Sequence, residues 1–170
     1  METSKLPEPW LRGTLAEVPA VPRAVLHALE LAKEDLERWC GALNDAEVNA
    51  RPAGIAPVAF HLRHIARSLD RLLTYAEGNQ LNEAQMAAMK SELDPGAKRE
   101  ELFSELELAL RTSAARIRAL DATRLSDGRL VGKKELPTTL GGLLVHVADH
   151  TQRHVGQAVT TSKIVAARAS

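Results

Sequence analysis

Pro57-Val58-Ala59-Phe60-His61-Leu62-Arg63-His64-Ile65-Ala66-Arg67-Ser68-Leu69-Asp70-Arg71-Leu72-Leu73 decides the fold. Val58, Leu62, Ile65, Leu69, Leu72 and Leu73 return at intervals of three and four, which gathers them on one side of an α-helix. Gly78-Asn79 stops the pattern, so the spacing predicts a helix from about Pro57 to Glu77. His61, His64 and Ser68 share one side of that helix.

Upstream, Val25, Leu29, Leu36, Trp39 and Leu43 keep the same period. They predict a first helix from Pro22, a residue suited to a first turn, to about Ala46. Pro52, Gly54 and Pro57 break the pattern between Asn49 and Pro57, leaving a loop short enough for an antiparallel turn. Residues 1–21, with Pro7, Pro9 and Pro19, read as an irregular lead. Downstream, a short helix through Glu83 to Lys90 packs as part of a connection, and Asp94-Pro95-Gly96 punctuates the chain. Asp94 is the expected cap of a third long helix, whose Leu102, Leu106, Ala109, Leu110, Ser113, Ile117 and Leu120 form a stripe ending near Ala122. Residues 123–137 are the most polar connection and a candidate for substrate selection. The last helix is expected from Pro137 or Thr138 to about Ala166, buried through Leu140, Leu143, Leu144, Val147, Val155 and Val159, with Gly141-Gly142 admitting close packing. Four long amphipathic segments predict an all-α, antiparallel four-helix bundle, a single domain over 1–170.

Composition supports this reading. A chain of 170 residues suits one substantial core, and leucine among alanine, glutamate and arginine favours helices. Lys plus Arg equals Asp plus Glu at 22 each, so nothing predicts steering toward nucleic acid or an anionic membrane. The start of the chain lacks the apolar core of a signal peptide, and no segment has the length of a membrane span. A single cysteine, Cys40, excludes an intrachain disulfide and fits a reducing, cytoplasmic setting.

His146, His150 and His154 follow one another at four-residue spacing in the last helix. Imidazoles on faces that also carry core residues are costly unless bonded or bound. Residues 150 and 154 lie one above the other because four residues make slightly more than a turn, so their rings can converge on one ion. A third ligand must come from elsewhere, and His64 sits on an apolar face able to press against the last helix. Such nitrogen-rich coordination suits zinc, nickel, iron or another late divalent metal. The segment is not a zincin, because Thr151-Gln152-Arg153 lies between the histidines where that pattern requires glutamate after the first. Isolated histidines, by contrast, are more often hydrogen-bonded edge residues than ligands, so spacing alone leaves the site open.

The segments Pro57 to Ser68 and His146-Val-Ala-Asp-His150-Thr-Gln-Arg-His154-Val-Gly-Gln157 resemble those of the DinB-like superfamily, also called damage-inducible or YfiT-like metalloenzymes. The likeness covers nearly the whole chain through helix order and sharpens in these two blocks. It implies a ligand set of one histidine on the second helix and a His-x-x-x-His pair on the last, which here is His64, His150 and His154. His61 and His146 are the nearest rivals and, with Asp149 and Gln157, the candidates to orient a ligand or a bound water.

Arg63, Arg67 and Arg71 flank the second helix and Arg153 lies near the final pair. They suggest an anion-binding rim, with Arg67 or Arg153 orienting a substrate. Ordinary solvation is the plainer account of such residues. His27 reads as a satisfied boundary residue and Cys40 as a buried neutral thiol.

Two function classes follow. The first is a metal-dependent transferase or hydrolase with an open coordination position; the resemblance implies a small-molecule thiol in transfer or detoxification chemistry, and the arginines suggest an anionic substrate. No residue is singled out as catalytic. The second is a nonenzymatic, metal-stabilised binding bundle, such as a homodimer using a leucine-rich face. Zero net charge and the lack of aromatic-basic interleaving or zinc-finger spacing oppose nucleic-acid binding.

Overall fold

The computed structural model describes residues 6–169, so Met1 to Lys5 of the expected lead lie outside the described residues. Four long helices carry the molecule: α1 (Ala20–Cys40), α3 (Val58–Ala76), α5 (Arg99–Ala119) and α6 (Leu140–Ala169). Between them stand two short helices, α2 (Asp45–Asn49) and α4 (Glu83–Lys90), and a two-stranded antiparallel hairpin of β1 (Gly128–Val131) and β2 (Leu136–Thr139). The fold is an all-α four-helix bundle with these minor additions.

The stripes read from the sequence meet in one core. Leu36 of α1, Leu62, Ile65, Leu69 and Leu73 of α3, Ile117 of α5 and Leu144 of α6 are all fully buried. Each of α1 and α3 packs against both α5 and α6. The sequential pairs α1/α3 and α5/α6 therefore lie on the diagonals, not side by side as the short-loop reading expected. The consequence for the site is direct: α3 and α6, distant in sequence, become neighbours.

Three boundaries differ from the expected ones, each for a local reason. The first helix stops at Cys40, and Asn44 starts α2 with a capping box, its side chain accepting from the Glu47 amide while Glu47 accepts from the Asn44 amide. Trp39, expected inside, is partly exposed beneath Lys163, whose Nζ lies 4.0 Å from the ring centre. Asp94 does not cap α5. The helix begins after Lys98, and Asp45 of α2 accepts from the Arg99 amide at 2.9 Å. Asn49 and Ala97 exchange two hydrogen bonds in the same place.

The last helix begins at Leu140, later than expected, because residues 136–139 pair with 128–131. Gly132, at φ +72°, makes the turn between the strands. Gly142 admits the hairpin closely: a Cβ there would meet Thr138 Oγ1 at 2.9 Å.

Candidate metal centre

α3 presents His61 and His64, and α6 presents His150 and His154, to the seam between the two helices. His64, His150 and His154 bring one ring nitrogen each within 4.8 Å of one another. His64 Nε2 and His150 Nε2 are 3.2 Å apart. Two nitrogens held tetrahedrally on one zinc at 2.0–2.1 Å would be separated by about 3.3 Å, so the protein already sets this pair at chelating distance. The cluster is compatible with a metal-binding site.

The outer nitrogens of the three rings have different surroundings. His64 Nδ1 donates to Glu92 Oε2 at 2.6 Å, and Arg71 donates to the other carboxylate oxygen at 2.7 Å. A carboxylate only accepts, so Nδ1 carries the proton, and in the neutral ring Nε2 keeps its lone pair. His154 Nδ1 lies 3.1 Å from His61 Nδ1. His150 Nδ1 is buried and has no hydrogen-bond partner among the described residues. An uncompensated polar atom of this kind is unusual in a packed protein.

Electrostatics favour neutral imidazoles, the form able to ligate a metal. Burial first, then the neighbouring rings, pushes His61 down to about 4. Burial and then His154 and His64 do the same to His150, with Arg153 adding to the effect. His154 is also lowered to about 4, by burial and then by His64 and Arg153. Burial alone would raise the Glu92 carboxyl, but hydrogen bonds from His64 and Arg71 outweigh it and hold the group below its ordinary value.

The remaining sequence candidates are distributed around this cluster. The His146 ring lies 5.3 Å from that of His150, is half-exposed, and has Nδ1 3.8 Å from Asp149. Asp149 is exposed and accepts from Arg153 at 2.7 Å. Gln157 and Arg153 line a cleft of about 560 Å³ with His61, Gly156, Thr160 and Ile55. Arg67 faces elsewhere, donating to Glu105 at 2.7 Å, the Ala88 carbonyl at 2.8 Å and Ser91 Oγ at 2.9 Å. His27 Nε2 pairs with the Thr14 hydroxyl at 3.1 Å, and burial raises the Cys40 thiol to about 11.

Two residues of the site escaped the sequence reading. Glu92 is buried, yet it lies in a turn after α4 that carries no periodic signal. Phe60 stacks on His64 with ring centres 5.2 Å apart and meets His154 edge-on at 6.1 Å. Its place beside His61 and His64 in the sequence was the available signal.

Comparison with known proteins agrees with this architecture. A conserved protein from Enterococcus faecalis superposes with a TM-score of 0.71 at 21% identity, covering 88% of this chain and 99% of its own. YfiT from Bacillus subtilis, described as a probable metal-dependent hydrolase with an unusual four-helix bundle topology, superposes at 0.63 with 16% identity, covering 85% of this chain and 87% of its own. Both likenesses are of fold. No curated protein sequence matches the chain. Residues 28–158 match the DinB superfamily, and with the match spanning all of α3, α5 and both histidine blocks, the chain belongs to that superfamily.

Proposed function

We propose that the protein is a divalent-metal-dependent enzyme whose ion, zinc or nickel, is held by His64, His150 and His154. The observation that carries this reading is the chelating 3.2 Å spacing of His64 and His150, beside a third ring in reach. Three protein ligands leave a coordination position for water or substrate. A bound divalent ion supplies acidity to a coordinated water or thiol, making a nucleophile near neutral pH.

The chain's own residues supply the rest. Arg153 borders both the cluster and the cleft beside His61, which suits it to hold an anionic group of a substrate lying there. Arg67 is less suited, because its guanidinium is already satisfied by three partners. Phe60, stacked on His64, excludes water from one side of the ring. Small-molecule thiols in transfer or detoxification chemistry are the first substrate class. Hydrolysis is the second, supported by the description of the Bacillus protein.

Metal-loaded protein assayed against thiol acceptors, esters and amides tests the reading. Turnover that disappears with a chelator and returns with zinc or nickel is expected. Stoichiometric metal with no turnover across the panel would reassign the ion to a structural role. No helix among the described residues is long and apolar enough to cross a membrane.

A further inference from the structure

Three arginines of α3 stand at four-residue spacing, and all three reach the turn that follows α4. Arg63 donates to the Asp94 carbonyl at 2.6 Å. Arg67 donates to the Ala88 carbonyl and to Ser91 Oγ. Arg71 donates to Glu92 Oε1. Side chains at i, i+4 and i+8 of one helix form a continuous, slightly slanted ridge, so the row clamps the end of α4 and the turn after it, residues 88–94. The clamped turn delivers a single group to the cluster: the Glu92 carboxylate, buried and with both oxygens engaged.

We propose that Glu92 is the positioning residue of the histidine cluster, and that the arginine row of α3 exists to hold it there. The inference rests on the metal reading above. Glu92 fixes His64 with its proton on Nδ1, which turns the Nε2 lone pair toward His150 Nε2. It also makes His64 the most electron-rich donor of the three rings. His154 is backed by another imidazole, and His150 by no partner among the described residues. Arg71 donates to the second carboxylate oxygen at 2.7 Å and so fixes which way the carboxylate points at His64. An anion-binding rim built from Arg63, Arg67 and Arg71 is thereby replaced by a clamp facing the protein's own chain.

Two readouts test this on the full chain. Nitrogen NMR of the metal-free protein reports the His64 tautomer, and competition with a chromophoric chelator reports zinc affinity. The metal-free wild type should show His64 protonated at Nδ1, and Glu92→Ala should shift it toward a mixture. Glu92→Gln and Glu92→Ala should each weaken zinc about 10–100-fold, the range found for partners of metal-bound histidines. Glu105→Gln, which frees one contact of Arg67 without touching His64, should leave affinity within about twofold of wild type. Unchanged affinity in both Glu92 variants would overturn the proposal, as would equal losses in Glu105→Gln. Should the Glu92 variants fail to fold, wild-type His64 protonated at Nε2 would overturn it alone. A wild type that binds no zinc would refute the metal reading, while the tautomer would still judge Glu92.

Discussion

His64 of α3 and His150 of α6 hold their Nε2 atoms 3.2 Å apart, although 86 positions separate them in the chain. The diagonal placement of α1 opposite α3 and of α5 opposite α6 creates this meeting, because it makes α3 and α6 direct neighbours. Core aliphatic residues on both helices fix the seam: Leu62, Ile65 and Leu69 from one side, Leu144 and Val147 from the other, all fully buried.

Zinc should stabilise the folded protein by mass action. At a free concentration 100 times Kd, binding adds about 2.7 kcal/mol, which for a chain of this size raises Tm by roughly 5–10 °C. Scanning calorimetry with and without zinc checks this. The His150→Ala variant should show no shift, and a wild type without one would count against the site.

Acid should destabilise the metal-free protein. His61, His150 and His154 are depressed from 6.5 to about 4 in the fold. The unfolded chain therefore binds more protons between those values, and stability falls as pH drops through that window. Glu92, held below its ordinary value, adds to the loss at the acid end. His64, His146 and Arg153 face the same rings, and Arg71 pairs with Glu92. Urea unfolding at pH 7, 6 and 5 measures the slope, and stability that rises on acidification would contradict this account of the buried rings.

Arg153→Ala should separate substrate binding from metal binding. Its side chain is exposed at the cleft and pairs with Asp149 at 2.7 Å. Losing a charged hydrogen bond worth about 1.5 kcal/mol raises KM about tenfold for an anionic substrate. Zinc affinity and kcat should change by less than about twofold. An unaltered KM would remove Arg153 from the substrate site.

Leu36→Ala tests the core apart from the cluster. Leu36 is fully buried in α1, a helix that contributes no histidine to the centre. The cavity left behind should cost about 2–5 kcal/mol in urea unfolding, while zinc stoichiometry stays at wild type below the transition. A loss under about 0.5 kcal/mol would mean that α1 packs less tightly than described.

The bundle was legible in the sequence because its stripes are long and periodic. Leu62, Ile65 and Leu69 could be placed on a buried face without any knowledge of the partner helix. His150 and His154 were legible for the same reason, since one turn of helix fixes their relation. His64 needed the family resemblance, because no local rule tells which distant helix will lie against α6. The hairpin was not legible: each strand is four residues long, and Pro137 within β2 reads as a helix start. Glu92 was hidden most deeply. Its position depends on a turn whose path is set by Arg63, Arg67 and Arg71, and a row of arginines on a helix reads as solvated surface until the turn is seen beneath it.

Metal stoichiometry in single-histidine variants bears most directly on the centre. Purified protein titrated with zinc should take up one tight equivalent, and His64→Ala, His150→Ala and His154→Ala should each lower affinity by more than the roughly 10–100-fold typical of losing an outer partner. His27→Ala, whose ring pairs with Thr14 and lies outside the three-histidine cluster, should match wild type. Undiminished occupancy in all three cluster variants would show that these rings do not share an ion.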